Sequence, residues 1–281
     1  MKLEPMLGKH PAPAYDGGHP LWLLTILFAA GLCVLGVHLL NQYAHGDRIN
    51  NRHQQPDLRV LSWNIGKIYL QWESRASDLD LEHIATVIKE ANPQLVALQE
   101  LKDSHQLGRL AKILGPKWRG NVPVDEYDRR AGLLVQIPAR FIQLPTSTGR
   151  IAQGAIVTLP KGQEMVFVSI HLDAFDPERR LRQAEEILGG VQRLEIKETI
   201  LAGDFNFDPN VNKRSDAPLY RFLTSQLVDA AKDEGGTTLS SQRLDYVFYG
   251  SRRIKRTRSY VLHERRINIM DHDPVFVEFF F

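Results

Sequence analysis

Apolar and polar positions along the chain fall into three patterns. Residues 21–40 read LWLLTILFAAGLCVLGVHLL, and no Asp, Glu, Lys or Arg occurs between Asp16 and Asp47. Twenty residues rising ~1.5 Å each span ~30 Å, the hydrocarbon thickness of a bilayer. This predicts an N-terminal transmembrane helix, with Trp22 and Tyr43 at interfacial positions. A cleaved secretory signal has an apolar core of only ~7–15 residues and needs a small-x-small site. Ala44 instead has Gln42 two positions before it, so the segment is read as an uncleaved anchor.

The second pattern is a series of short, continuous apolar runs: 58–63, 94–99, 131–137, 154–159, 164–171, 199–202, 244–249 and 274–281. Such runs predict strands covered on both faces. The third pattern has helical spacing. Asp176-Pro177-Glu178 supplies a cap, a first-turn proline and a first-turn acid, with Leu181, Ala184, Leu188 and Val191 following, which predicts a helix over 177–194. Leu81, Ile84, Ala85 and Ile88, closed by Pro93, predict another over 80–91. The chain therefore divides into a polar tail (1–20), the membrane helix (21–40), a polar linker (41–56) and a layered α/β domain (57–281).

Composition narrows the chemistry. With 281 residues, 43% hydrophobic and 24% charged, the chain cannot be mainly disordered. A net charge of +2 excludes a protein that coats nucleic acid through bulk electrostatics. One cysteine excludes an intrachain disulfide framework and cysteine-rich zinc modules, so any metal must be held by oxygen or histidine. Lys2 and Lys9 before the apolar segment nearly balance Arg48, Arg52 and Arg59 after it, leaving undecided on which side of the membrane the domain lies. The localisation implied is single-pass membrane.

Polar residues recur where apolar runs end. Asn64 follows VLSW, Glu100 follows LVALQ, His171 follows FVSI and Asp204 follows ILAG; Asp245 lies in RLDYVF, and Asp271 and His272 precede PVFVEF. Polar groups at strand ends in an α/β layer protein converge on one crevice. Carboxylates gathered there repel one another unless a hard cation or protonation compensates. Glu100, Asp204 and Asp271 together imply a metal, Mg²⁺ or Mn²⁺ in preference to zinc through His171 and His272. In Gly203-Asp204-Phe205-Asn206, extended backbone puts Asp204 and Asn206 on one face. Asp245 is available to fix the tautomer of His272 or His171. These are the parts of metal-assisted phosphoester hydrolysis.

The stretches LRVLSWNIG, LVALQE, AGLLV, SIHLDA, LAGDFN, RLDYVF and MDHDPV, in this order, cover nearly all of 57–281. In this the sequence resembles the endonuclease/exonuclease/phosphatase superfamily with its deoxyribonuclease I-like fold. The resemblance implies a four-layer αββα sandwich and a catalytic domain that cleaves phosphoester bonds with Mg²⁺. By motif, Glu100 would bind the metal, with Asn64 and Asp271 close to it. Asp204 would position and help deprotonate the attacking water, Asn206 would bind the scissile phosphate, and His272, oriented by Asp245, would stabilise charge on the phosphoryl oxygens. His171 matches a histidine that several branches place beside the scissile phosphate. Met270 stands where the family usually has serine, which puts the geometry of that loop in question. The substrate could be nucleic acid, a phospholipid headgroup or a small phosphate ester. No obligate protein partner is implied, and the alternative is a tethered, non-catalytic module that binds phosphorylated ligands or a protein.

Three further signals have bland explanations. The run SRRIKRTR from Ser251 to Arg258 holds five basic residues in eight and reads as a solvated edge strand, although a phosphate-backbone or anionic-lipid contact would fit. Arg179, Arg180 and Arg182 read as surface ion-pair partners, and Asp173 as a turn residue.

Overall fold

The computed structural model describes residues 55–66, 74–124, 130–263, 265 and 270–281. The tail 1–20, the apolar segment 21–40 and nearly all of the linker 41–56 lie outside the described residues. Among the described residues no helix is long and apolar enough to cross a membrane.

The apolar runs become strands of two six-stranded sheets. The first holds β1 (Leu58–Asn64), β2 (Leu95–Leu101), β3 (Arg119–Asn121), β4 (Arg130–Val135), β11 (Arg256–Val261) and β12 (Val275–Phe280), in the order β11-β12-β1-β2-β4-β3. The second holds β5 (Ala139–Pro145), β6 (Ile151–Thr158), β7 (Glu164–His171), β8 (Thr199–Asp204), β9 (Val228–Asp229) and β10 (Asp245–Gly250), in the order β5-β6-β7-β8-β10-β9. Among the described residues four α-helices accompany the sheets: α1 (Ser74–Ala91), α2 (Ser104–Leu114), α3 (Pro177–Gln192) and α4 (Lys213–Thr224). The parallel pairs, β1 with β2 and β7 with β8, are joined through α1 and α3, because a parallel connection needs a crossover.

Side-chain alternation along each strand sorts the apolar residues into layers. Val60, Ala97, Leu133, Phe167 and Ala202 meet between the sheets. Leu61, Val96 and Leu134 turn the other way onto Ile84 and Ile88 of α1 and Leu107 of α2. Val166, Val168 and Leu201 turn outward onto Ile187 and Leu188 of α3 and Leu219 of α4. The layers run helices, sheet, sheet, helices, and burial of both strand faces accounts for the continuous runs.

The helix over 177–194 is observed as α3, with the Asp176 side chain accepting from the backbone of Glu178 and Arg179. The helix over 80–91 begins earlier, at Ser74. The sequence reading did not place α2 and α4. Gly108 interrupts the pattern of α2, which is capped by Asp103 accepting from Gln106 at 2.8 Å, and α4 contains Pro218. Edge strand β5 was also missed, because its half-exposed face breaks the apolar run, whereas the basic run read as an edge strand leads into β11, at the edge of the first sheet.

Candidate active site

Strands β1, β2, β7 and β8 all finish at one end of the sandwich, and β10 begins there, with Asp245 opposite Asp204 and His171 beside Asp204 in register. Asn64, Asp204, Asp245, His171 and His272 are all buried there. Asn64 of the first sheet donates to Asp204 Oδ2 of the second at 2.9 Å, so this hydrogen bond crosses the sandwich at its polar end. His171 Nε2 stands 3.7 Å from that oxygen and His272 Nε2 3.9 Å from it. Asp245 Oδ2 lies 2.8 Å from His272 Nδ1 and accepts the Thr237 hydroxyl at 2.6 Å.

Two backbone irregularities put these groups within reach. Leu98 and Leu101 both face α1 and α2, yet they are three apart, so the strand's alternation slips by one residue. The residue absorbed is Glu100, held at φ 58, a left-handed conformation that an ordinary residue adopts at a cost. Its carboxylate turns towards Gly66. A Cβ at that glycine would fall 2.2 Å from Glu100 Oε2 and 3.0 Å from Asn64 Oδ1, so both oxygens border a notch that only a glycine leaves free. On β8, Gly203 has φ +155, and a Cβ there would meet the Ile170 carbonyl oxygen at 1.9 Å. Glycine is required for β7 and β8 to bring His171 and Asp204 side by side.

Asn206 reaches the site by a different route from the extended alternation expected. It has φ 54, its backbone N–H donates to Asp204 Oδ1 at 2.8 Å, and its amide donates to the Leu172 carbonyl at 3.1 Å. The chain turns at Asp204 instead of running straight, and Asn206 is tied to the strand end holding His171. Asp271 is half-buried beside His272, and its carbonyl accepts from Leu239 at 3.0 Å. The loop around Met270 is held without a serine. Met270 is buried against the sheet and helix core, and Trp63 Nε1 donates to the His272 carbonyl at 3.2 Å.

Burial raises the carboxyl pKa of Asp204, and neighbouring Asp245 raises it further, while His272, His171 and the Asn64 amide oppose the shift. Burial works against the His272 imidazolium, but the Asp245 charge and hydrogen bond outweigh it, with smaller help from Asp204 and Asp271. The His272 pKa is pushed up to about 10. The shift favours the imidazolium form, in which the bond to Asp245 is charge-assisted. Asp245 Oδ1 is buried with no hydrogen-bond partner among the described residues.

Two groupings could hold a cation. Oxygen or nitrogen atoms of Asp204, Asp245 and His272 lie within 4.8 Å of one another. In that trio, however, Asp245 Oδ2 is shared between His272 and Thr237, and that bond occupies His272 Nδ1. The notch at Gly66 presents hard oxygens from Glu100 and Asn64, the ligand type that suits Mg²⁺ or Mn²⁺, with Asn64 Oδ1 also accepting the Gly66 N–H at 2.9 Å. The residues present fit a hard divalent ion there.

Several supporting residues carried no clear signal in the sequence. Thr237 also accepts the backbone N–H groups of Leu244 and Asp245, both at 3.1 Å, and so fixes the turn into β10. Arg180, expected at the surface, is buried and pairs with Asp216 at 2.8 Å. Asp216 in turn accepts the Asp208 N–H, Asp208 accepts the Arg243 N–H, and Arg243 pairs with Asp229 at 2.7 Å. This chain of ions braces the segments that follow Asp204 and precede Asp245. Arg179 does form a surface pair, with Asp173 at 3.4 Å, and Asp173 is a turn residue accepting from Phe175 and Asp176. Gly66 had a visible clue, its place two residues after Asn64.

Comparison with known proteins agrees with this architecture. Residues 61–267 match the model of the endonuclease/exonuclease/phosphatase family, and the chain belongs to that family. Among solved structures, it is similar to truncated TDP2 from Caenorhabditis elegans, with TM-score 0.62 and 16% identity over 80% of this chain and 98% of that one. It is likewise similar to a mannosyl-6-phosphatase from Bacteroides thetaiotaomicron, with TM-score 0.62 and 19% identity over 80% of this chain and all of the other, 100%. A family protein from Leptotrichia buccalis gives TM-score 0.60 and 16% identity over 80% and 100% of the two chains. At such identities the likeness is one of fold. No curated protein matches the chain by sequence.

Proposed function

We propose that this protein is a divalent-metal-dependent phosphoester hydrolase, tethered to a membrane through residues 21–40. The observation that carries the chemistry is the bond from Asn64 to Asp204 across the sandwich, with both histidines within 4 Å of the same Asp204 oxygen. Family membership and the likeness to a protein named as a phosphatase support the reaction class.

Asp204 is buried with a raised proton affinity, which suits a group that takes a proton from water near neutral pH. The water attacks phosphorus in line, held by the Asp204 carboxylate. The His272 imidazolium, oriented by Asp245 and Thr237, faces the charge that builds on the phosphoryl oxygens. His171 Nε2 stands on the same side and can bind phosphate or protonate the leaving oxygen. The Asn206 amide contacts the phosphate while remaining anchored to Leu172. Glu100 and Asn64, with Asp271 nearby, would hold Mg²⁺ or Mn²⁺, which supplies charge stabilisation at phosphoryl and leaving oxygens.

The test is turnover of the purified full chain on bis(4-nitrophenyl) phosphate, plasmid, single-stranded nucleic acid, sphingomyelin and inositol phosphates, with added Mg²⁺ and with chelator. The expected outcome is metal-dependent release of product from at least one substrate class. Absence of turnover on every class, with phosphorylated ligands still bound, would turn the reading into that of a binding module.

A further inference from the structure

Strand β1 starts with Leu58 paired to Phe279, and the Asp57 N–H donates to the Phe279 carbonyl at 2.9 Å. The 56 residues that precede the strand pair therefore join the domain here. Seven residues further on, β1 ends at Asn64, so ~23 Å of strand separates the chain's entry from the active site.

The run from Ser251 to Arg258 lies at this same entry end. β10 leaves the site at Asp245 and reaches Gly250 opposite Thr199. The turn then crosses to the first sheet, where Lys255 donates to the Phe280 carbonyl and Arg256 pairs with Phe280. Arg252, Arg253, Lys255 and Arg256 are all exposed. Some of the local charge is neutralised: Arg253 lies 3.8 Å from Glu198, and Arg258 and Arg59 share Glu278 at 3.3 Å. Among the described residues, no carboxylate pairs with Arg252, Lys255 or Arg256. The Arg256 guanidinium carbon lies over the Phe280 ring, 4.2 Å from its centroid, a cation–π contact at the surface.

A charge-guarded edge strand explains the cations along β11, Arg256 among them, but not Arg252 and Lys255 in the turn that leads into it. We propose that the surface formed by Arg252, Arg253, Lys255 and Arg256 docks on the anionic headgroups of the bilayer that residues 21–40 enter. Three features support this occupant: the apolar segment in the same chain, the polar linker ending at β1, at the same end of the sheet as the cations and separated from β11 by β12 alone, and charge complementarity. A basic residue near an anionic membrane surface strengthens binding ~5-fold. Docked in this way, the domain presents its active site away from the membrane, towards phosphoesters dissolved in water. The proposal rests on the tether of the proposed function, and its test separates the two.

The full chain is mixed with vesicles of phosphatidylcholine, or of phosphatidylcholine with phosphatidylserine, floated, and labelled with an amine-acetylating reagent read by mass spectrometry. Lys255 reports the basic surface and exposed Lys102, just beyond β2 at the site end, is the control. The expected result is flotation with both vesicles and severalfold slower labelling of Lys255, not Lys102, only where phosphatidylserine is present. High salt and the Arg252→Glu/Arg256→Glu variant should each abolish the protection; the salt experiment stands even if the variant misfolds. Flotation with equal Lys255 labelling in both vesicles overturns the docking surface and leaves the tether. Flotation and protection confined to phosphatidylserine vesicles overturn the tether and leave the surface. Flotation with neither overturns both. Stronger protection of Lys255 by duplex DNA than by anionic vesicles at the same salt would reassign the surface to nucleic acid.

Discussion

Strand β1 sends Leu58 and Val60 into the space between the sheets at one end and Ser62 and Asn64 at the other, and its neighbours follow it. β2 passes from Leu95 and Ala97 to Gln99, β7 from Met165 and Phe167 to Ser169 and His171, and β8 from Ile200 and Ala202 to Asp204. One layer with one geometry is thus a hydrophobic core for half its length and a hydrogen-bonded polar network for the rest. The apolar half is stabilised by area removed from water, a non-directional effect that tolerates substitutions conserving volume. In the polar half every group needs a particular partner at a particular distance, and the exceptions are informative. Ser62 Oγ, Gln99 Oε1 and Asp245 Oδ1 are buried without one among the described residues. Such groups cost stability, and these three lie at the end of the layer that holds the candidate site.

Removing charge from the polar half should therefore affect turnover more than folding. In an Asp204→Ala protein the rate on a phosphoester substrate should fall ~10²–10⁴-fold, the range for loss of a general base. Its thermal midpoint should stay near that of the wild type, because the carboxylate is among the most strongly desolvated groups in the fold. Stopped assays beside thermal unfolding check both parts; wild-type turnover in this variant would remove Asp204 from the mechanism.

The opposite response should follow a cut in the apolar half. Phe167 is fully buried between the sheets, and Phe167→Ala should destabilise the domain by ~3–5 kcal/mol, as large-to-small core changes do. Turnover per folded molecule should be unchanged below the unfolding transition. Denaturant titration with activity normalised to folded fraction tests this, and a specific loss of turnover would mean that the two halves are coupled.

The two halves also differed in how readily the sequence revealed them. The apolar half writes itself as continuous hydrophobic runs, so β1, β2, β7 and β8 and the layered class were legible, as was the position of each polar residue closing a run. What was hidden depends on backbone that departs from regular geometry. The slip at Glu100 places a side chain that ideal alternation would aim elsewhere, and Asn206 arrives through a turn instead of the extended backbone expected. Thr237 is one hydroxyl in a loop, and Arg180 looked like an exposed helix residue because its partner, Asp216, is 36 positions away. Long-range pairing of that kind leaves no local pattern.

The notch at Gly66 allows a finer cut. Gly66→Ala would place a methyl carbon 2.2 Å from Glu100 Oε2, and the carboxylate would have to swing aside. Displacement of a positioned group by about 1 Å costs up to ~10²-fold in rate. We expect a ~10–100-fold loss of turnover and weaker Mg²⁺ binding by calorimetry, with stability changed by less than ~0.5 kcal/mol. Unaltered Mg²⁺ affinity would place the ion elsewhere, with the group formed by Asp204, Asp245 and His272 as the next site to test.

The smallest effect expected is at the boundary between the halves. Gln99 donates to the Ser169 hydroxyl at 3.1 Å while its carbonyl oxygen lies buried and unpartnered among the described residues. Ser169 keeps a second bond, to the Leu98 carbonyl at 3.2 Å. Gln99→Leu would remove one neutral hydrogen bond worth ~0.5–1.5 kcal/mol and one orphaned acceptor costing ~1–3 kcal/mol. The balance favours leucine by about 1 kcal/mol, a rise of ~2–4 °C in Tm for a domain of this size. Glu100 follows Gln99 in the irregular part of β2, so loosening the bond that ties this strand to β7 should cost turnover, roughly tenfold. Stability and activity would then move in opposite directions from one substitution at the meeting point of core and site. If both fell together, Gln99 would belong to the apolar half's packing, and the unpartnered oxygen would be satisfied by a bound water that leucine displaces.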